Sequence, residues 1–248
     1  MAASNALMEI GDDKLRDLFP SIQVGVAVKG GTERALHLVQ SWLEIGDSRH
    51  VFIKVDFKNA FNSCSRERML RSFLSQETLA PAWNLFRWAY SEPSPLLFYN
   101  LNELAHVISS SEGGRQGDLL MPLAFANLVQ PLYQSAVREG VSLVADLDGL
   151  GIEGPADQAF AALDHILESS PQYQLSANLA KTRVFSFNRT PRLERECIKR
   201  GIQLEKKEVM EWLGALVGNL DSEDARNGRS TKWKRSTFHF FTKLFYTL

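Results

Sequence analysis

Cysteine is nearly absent. Cys64 and Cys197 lie far apart and form neither a CxxC pair nor a ligand cluster. That excludes a disulfide framework and a cysteine zinc site, and it fits a reducing compartment with free thiols. Excess charge of either sign is also missing. A formal net charge of -1 excludes attraction of the whole surface to a polyanion, so any nucleic-acid contact has to come from local basic patches. No stretch reaches the roughly 18 to 20 apolar residues that span a bilayer. The first residues carry Glu9, Asp12 and Asp13 where a secretory signal is hydrophobic, so an intracellular location is expected, with nucleus and cytoplasm both open. Internal repeats and low-complexity linkers are lacking too. What is present is a 44% share of hydrophobic residues, enough for one sizeable core or two small ones.

Periodicity then divides the chain. Thr32 to Leu43 has helical spacing after Gly30 and Gly31, and VFIKVD (Val51 to Asp56) is short, β-branched and apolar, as in a buried strand ending on an acid. Helices are expected over Ser65 to Leu74 and Pro81 to Tyr90, followed by a strand pair at Leu96 to Tyr99 and His106 to Ser109. A helix is expected from Leu119 to Leu132, with Pro122 in its first turn. Val141 to Leu147 reads as a strand, broken at Asp148-Gly149, with Leu150 to Ile152 returning antiparallel. Asp157 to Leu167 suits a helix, Arg183 to Phe187 a strand, and Trp212 to Val217 ends the readable pattern.

Two strand-terminal carboxylates, Asp56 and Asp148, therefore stand far apart in sequence. Nucleotidyl transfer with two metal ions needs such a pair, because hard magnesium ions take oxygen ligands and rigid strands fix the spacing between them. Aspartate also ends strands simply as a turn-former, and the residues alone leave both readings open.

Seven blocks taken together go further: QVGVAVKGGTERALH (Gln23 to His37), KVDFKNAFNSCSR (Lys54 to Arg66), AYSEPSPLLF (Ala89 to Phe98), SSEGGRQGDLLMPLAFA (Ser110 to Ala126), LDGLGIEGP (Leu147 to Pro155), NLAKT (Asn178 to Thr182) and WLGALVG (Trp212 to Gly218). In order and spacing they resemble the reverse transcriptase domain of non-LTR retrotransposons, over about residues 20 to 220. The resemblance implies an α+β polymerase palm, an antiparallel sheet backed by helices, with a remnant of the fingers. It implies an RNA-directed DNA polymerase, a nucleotidyltransferase acting on an RNA template, a DNA primer and deoxynucleoside triphosphates, with two magnesium ions and no membrane. By the same resemblance Asp56 and Asp148 are metal-binding and catalytic, and Lys181 is the general acid for pyrophosphate. The backbone at Phe57 meets the triphosphate, and Phe61 is the aromatic gate that excludes a 2′-hydroxyl. Arg115, Gln116 and Gly117 lie at the incoming nucleotide and template, and Trp212 to Gly218 resembles the hairpin that grips the primer.

Departures from the pattern matter as much. Where the family reads Ala-Tyr-Leu-Asp-Asp, this chain has Ala145-Asp146-Leu147-Asp148-Gly149, so the second aspartate is missing and metal binding is weakened unless compensated. Asp146, two residues before Asp148, is expected to share its face and to replace part of the charge. Leu119 stands for a proline and Met121 for a glycine, and the added bulk is expected to disturb the approach to the nucleotide. Residues 1–19 read as an N-terminal segment, 20–220 as fingers and palm, and 221–248 as a basic-aromatic tail, with earlier fingers strands, a thumb, an endonuclease and a zinc knuckle all expected to be absent. Lys181 to Arg200 and the tail around Lys232, Trp233, Lys234, Arg235 and Lys243 mix cations with aromatics, which suits nucleic acid or a solvated face. Three readings follow: a polymerase domain, a catalytically dead palm that binds RNA or protein as a scaffold, and a non-functional fragment of an element.

Overall fold

Three apolar residues in succession, Val51, Phe52 and Ile53, give the strand HVFIKV two buried faces, because successive side chains point to opposite sides of a sheet. Val51, Ile53 and Val55 enter the larger core, whereas Phe52 enters a second, smaller one on the other side. The computed structural model that shows this describes residues 2–19, 21–45 and 47–226.

In chain order the elements are α1 (Ala2–Ile10), α2 (Asp12–Leu18), α3 (Gly31–Ile45), β1 (His50–Val55), the single turn α4 (Ala60–Ser63), α5 (Arg66–Leu74) and α6 (Ala80–Tyr90). There follow β2 (Ser94–Asn100), β3 (Glu103–Ser110), α7 (Met121–Ser135), β4 (Ser142–Asp146), β5 (Gly149–Pro155) and α8 (Ala156–Ser169). β6 (Arg183–Phe185), α9 (Pro191–Lys199), β7 (Gln203–Leu204), β8 (Val209–Trp212) and β9 (Ala215–Gly218) complete them. The fold is α+β, as expected, with a five-stranded sheet in the order β4-β5-β1-β6-β7. Its pairs are antiparallel except β6 with β7, which run parallel. Register is fixed by the apolar pattern: Ile53 faces Ile152, and Phe52 faces Phe185.

One face of the sheet shares a core with α7 and α8 through Ile53, Ala145, Ile152, Phe125, Leu163 and their neighbours, and α5 and α6 extend that core beyond α7. The other face carries Phe52, Val144 and Phe185 against Ala35 and Val39 of α3 and against Met210, Trp212 and Val217 of the β8–β9 hairpin. β5 allows that second layer to come close, since it presents Gly149 and Gly151 there. A β-carbon at 151 would lie 2.7 Å from Phe52 Cε2 and 3.2 Å from Trp212 Cζ2.

The N-terminal segment contributes Ala6, Ile10, Leu15 and Phe19 to the larger core. The β2–β3 ribbon stands apart. Leu96, Leu97, Phe98, Tyr99, Leu104, Val107 and Ile108 are all exposed, so neither of its faces is covered by the described residues. The basic stretch before Arg200 is a helix, α9, capped by the Thr190 hydroxyl, which accepts from Leu193 N at 3.2 Å. Its cations are partly committed: Arg192 pairs with Asp157 at 2.9 Å, and Arg200 with both Asp164 and Glu196 at 2.7 and 2.6 Å. Residues 227–248, with Lys232, Trp233, Lys234, Arg235 and Lys243, lie outside the described residues. Among the described residues no helix is long and apolar enough to cross a membrane.

Candidate active site

The antiparallel pairing of β1 with β5 ends at Val55 opposite Leu150, so one further step along each chain leads to Asp56 and to the β4–β5 turn that carries Asp148. Asp56 is held from the other side. Its carbonyl accepts from Asn178 N at 2.7 Å, and its amide stands 3.5 Å from the hydroxyl of fully buried Thr182. Phe57 forms an antiparallel bridge to Ala177 and is buried, and Lys58 N donates to the Ser176 carbonyl. The segment 176–182 thus extends the sheet edge beneath Asp56, although its sequence shows no strand period.

Asp148 occupies the second position of a two-residue turn closed by the Asp146–Gly149 pair. Leu147, the first position, has φ 58, a left-handed backbone normally left to glycine. Burial holds the Asp148 carboxyl above the usual carboxylate range, and the negative charges of Asp56 and Asp146 push it the same way. Asp148 therefore stands in a partly dehydrated corner where the charge of Asp56 acts on it.

Asp146 is turned to α3, where its carboxylate accepts from the Thr32 hydroxyl at 2.5 Å. Burial raises its carboxyl too, and the Thr32 bond partly offsets that. Among the described residues no group of three or more His, Cys, Asp or Glu side chains is arranged to hold a metal ion.

The loop before α7 is built around two arginines. Arg66, 7% exposed, donates to the carbonyls of Ser110, Glu112 and Gly113 at 2.8 to 2.9 Å. Arg115 donates to Ala89 O and Ser94 Oγ, and its guanidinium lies over the Tyr90 ring. The Tyr90 hydroxyl donates to Asp118 at 2.7 Å and accepts from Arg115 N, and Asp118 in turn accepts from Leu120 N at the start of α7. Between these ties Gln116 and Gly117 are exposed. Gly117 has φ 89 with open space beside it, so its backbone is free to meet a ligand. Phe61 is half-buried and stacks on Phe125 with ring centroids 4.6 Å apart. Met121 is 1% exposed and packs beneath this loop against Gly114, where a β-carbon would overlap its sulfur. Leu119, in contrast, is 40% exposed.

Lys181 lies on the same 176–182 segment, three residues beyond Asn178, with its side chain in solvent. Gly149 lies under the tip of the β8–β9 hairpin, whose Leu213 and Gly214 both have positive φ. Lys54 Nζ donates to Glu211 O and ties the hairpin to β1. Gln23, Thr32, Thr182 and Leu213 lie within the blocks read from sequence, but their individual tasks, holding the site without bearing its chemistry, carried no signal there.

Comparison with solved structures gives this geometry a context. The chain superposes on apo telomerase from Candida tropicalis, truncated from its C-terminal domain, with a TM-score of 0.60 at 12% identity over 87% of this chain and 43% of that one. The chain has the palm fold of a reverse transcriptase. The telomerase of Candida tropicalis in complex with a TWJ fragment of telomeric RNA gives 0.58 at 11% identity, over 89% of this palm-bearing chain and 37% of that one. In sequence, the chain is 27% identical over 164 residues to the retrotransposable element SLACS 132 kDa protein of Trypanosoma brucei gambiense. That match covers 66% of this chain and 12% of that protein. No family model matches the chain. The relationship to a non-LTR retrotransposon protein and the α+β palm agree with the sequence resemblance.

Proposed function

We propose that the chain is the fingers-and-palm part of an RNA-directed DNA polymerase, extending a DNA primer on an RNA template with deoxynucleoside triphosphates. The observation that carries this reading is that the paired strands β1 and β5 bring Asp56 and the turn of Asp148 to one corner of the sheet, where the charge of Asp56 raises the Asp148 carboxyl. Neither has a cationic side chain as partner among the ion pairs of the described residues. Two partly buried carboxylates without a counter-charge fit a hard divalent cation, so Asp56 and Asp148 would hold magnesium. When bound, two such ions would activate the primer hydroxyl and stabilise the leaving pyrophosphate.

The chain's own groups have complementary tasks. The backbone after Asp56, at Phe57, would meet the triphosphate. Phe61, braced by Phe125, would stack under the incoming sugar and exclude a 2′-hydroxyl. The exposed backbone at Gln116 and Gly117 would receive the nucleotide and template. Arg115 would have to exchange Ala89 and Ser94 for a phosphate. Lys181, in solvent on the segment that holds Asp56, would donate the proton to pyrophosphate.

Primer extension on an RNA template with magnesium tests the proposal. Wild-type chain is expected to extend the primer, and Asp56→Asn and Asp148→Asn to lose at least about a hundredfold in rate. Equal signals from wild type and Asp56→Asn would sink it. A second reading, an RNA-binding palm without catalysis, is favoured by one observation, the leucine seated where the second aspartate would stand. It expects no extension, together with salt-sensitive RNA binding that survives Asp56→Asn.

A further inference from the structure

Gln23 is 1% exposed, although its side chain is polar and it belongs to no helix or long strand. A buried amide is retained where its donors and acceptor are used. Here the partners are specific. Gln23 Oε1 accepts from the backbone N of Leu147 at 2.7 Å, and Nε2 donates to the Leu147 carbonyl at 3.3 Å. Oε1 also accepts from Gly25 N at 3.1 Å, which fixes the amide's orientation.

The residue grasped in this way directly precedes Asp148 and carries the unfavourable φ of 58. Such a backbone persists only when its surroundings over-determine it. The backbone on either side of Gln23 supplies the frame: Ala145 N donates to Ile22 O at 2.7 Å, and Val24 N donates to Ala145 O at 2.8 Å, a parallel bridge to the end of β4. Gly25 closes the contact, since a β-carbon there would lie 2.5 Å from Asp146 Oδ1 and 2.9 Å from Leu147 N. The Tyr133 hydroxyl also donates to the Leu147 carbonyl, at 3.4 Å. Both polar backbone groups of Leu147 are thus taken up by side chains from distant parts of the chain.

We propose that Gln23 is a positioning residue for Asp148: by holding Leu147 through both its backbone groups, it fixes where that carboxylate stands relative to Asp56. This rests on the reading of Asp56 and Asp148 as the cation site. Glutamine suits the task because one planar amide accepts and donates at once. Glutamate at 23 would keep the acceptor and lose the donor, and asparagine is one methylene too short to keep both.

The test uses the full chain and two readouts, hydrogen exchange at the Leu147 amide and terbium luminescence on binding at Asp56 and Asp148. In Gln23→Leu, exchange at Leu147 is expected to quicken by about tenfold or more, while Ile53 and Ile152 in the sheet change by less than about threefold. Terbium affinity is expected to fall by about tenfold in Gln23→Leu and by less in Gln23→Glu. If Gln23→Leu does not fold, Gln23→Asn decides on the same measurements. Unchanged exchange at Leu147, or equal acceleration at Leu147, Ile53 and Ile152, would overturn the positioning role, since the latter is the mark of general loosening. Wild-type chain whose terbium signal is the same as that of Asp56→Asn, with Leu147 still responding to position 23, would instead overturn the cation-site reading and leave Gln23 as the anchor of the turn.

Discussion

Leu213, at the tip of the β8–β9 hairpin, covers Gly149 so closely that a β-carbon at 149 would lie 2.7 Å from its Cδ2. The absent second aspartate and the seated hairpin are therefore one arrangement. Gly149→Asp alone is expected to destabilise the chain by about 1 to 3 kcal/mol, because it displaces a packed side chain. Adding Leu213→Ala is expected to recover at least about 1 kcal/mol, seen as coupling in a double-mutant cycle by urea unfolding. Strict additivity would show that Leu213 does not govern position 149.

Tyr90 gives the loop before α7 a dependence on alkaline pH. Burial raises its phenol to about 12, and the hydrogen bond to Asp118 acts in the same direction. The folded state thus holds this proton more tightly than the unfolded chain, whose tyrosines titrate near 10. The stability involved is complete below about pH 10 and is lost as pH rises towards 12. Tyr90→Phe is expected to cost about 1 to 2 kcal/mol at neutral pH and to flatten that decline. Denaturant midpoints between pH 9 and 12 would reveal an unchanged slope if the assignment is wrong.

Arg66 holds three carbonyls and the Ser110 hydroxyl in one plane. A single ammonium cannot span them, so Arg66→Lys is expected to lose about 2 to 3 kcal/mol despite keeping the charge. Limited proteolysis should then cut near residues 110–114 before the rest of the fold opens. Resistance equal to that of wild type would contradict the clamp.

The β2–β3 ribbon has no Lys or Arg between Arg87 and Arg115, and its apolar side chains are exposed. Unguarded edges of this kind recruit other strands. Sedimentation velocity is expected to show self-association that weakens when the facing pair Leu97 and Val107 is replaced by Leu97→Lys and Val107→Glu. Identical sedimentation of the two proteins would rule out the ribbon as its cause.

Much of this fold was legible where side-chain period and burial coincide. Thr32 to Leu43 gave α3 (Gly31–Ile45), and VFIKV gave β1, because their apolar spacing directly encodes the faces they bury. Asp148 was legible as a hairpin residue from the Asp-Gly break. Helix α9 was not: its sequence is mostly charged, and its helical form depends on the Thr190 cap and on acids of α8 that lie far off in sequence. The partners of the site were hidden for the same reason. Gln23 reaches Leu147, and Thr32 reaches Asp146, across more than a hundred residues. The destination of Met121, the space beside Gly114, cannot be seen in one dimension either.

That last pair has a practical meaning. A β-carbon at 114 meets first the Sδ and Cε of Met121, the far end of a flexible side chain, so alanine at 114 obliges that methionine to turn elsewhere in the core. The space is shared between loop and helix, and what one partner gains the other must yield.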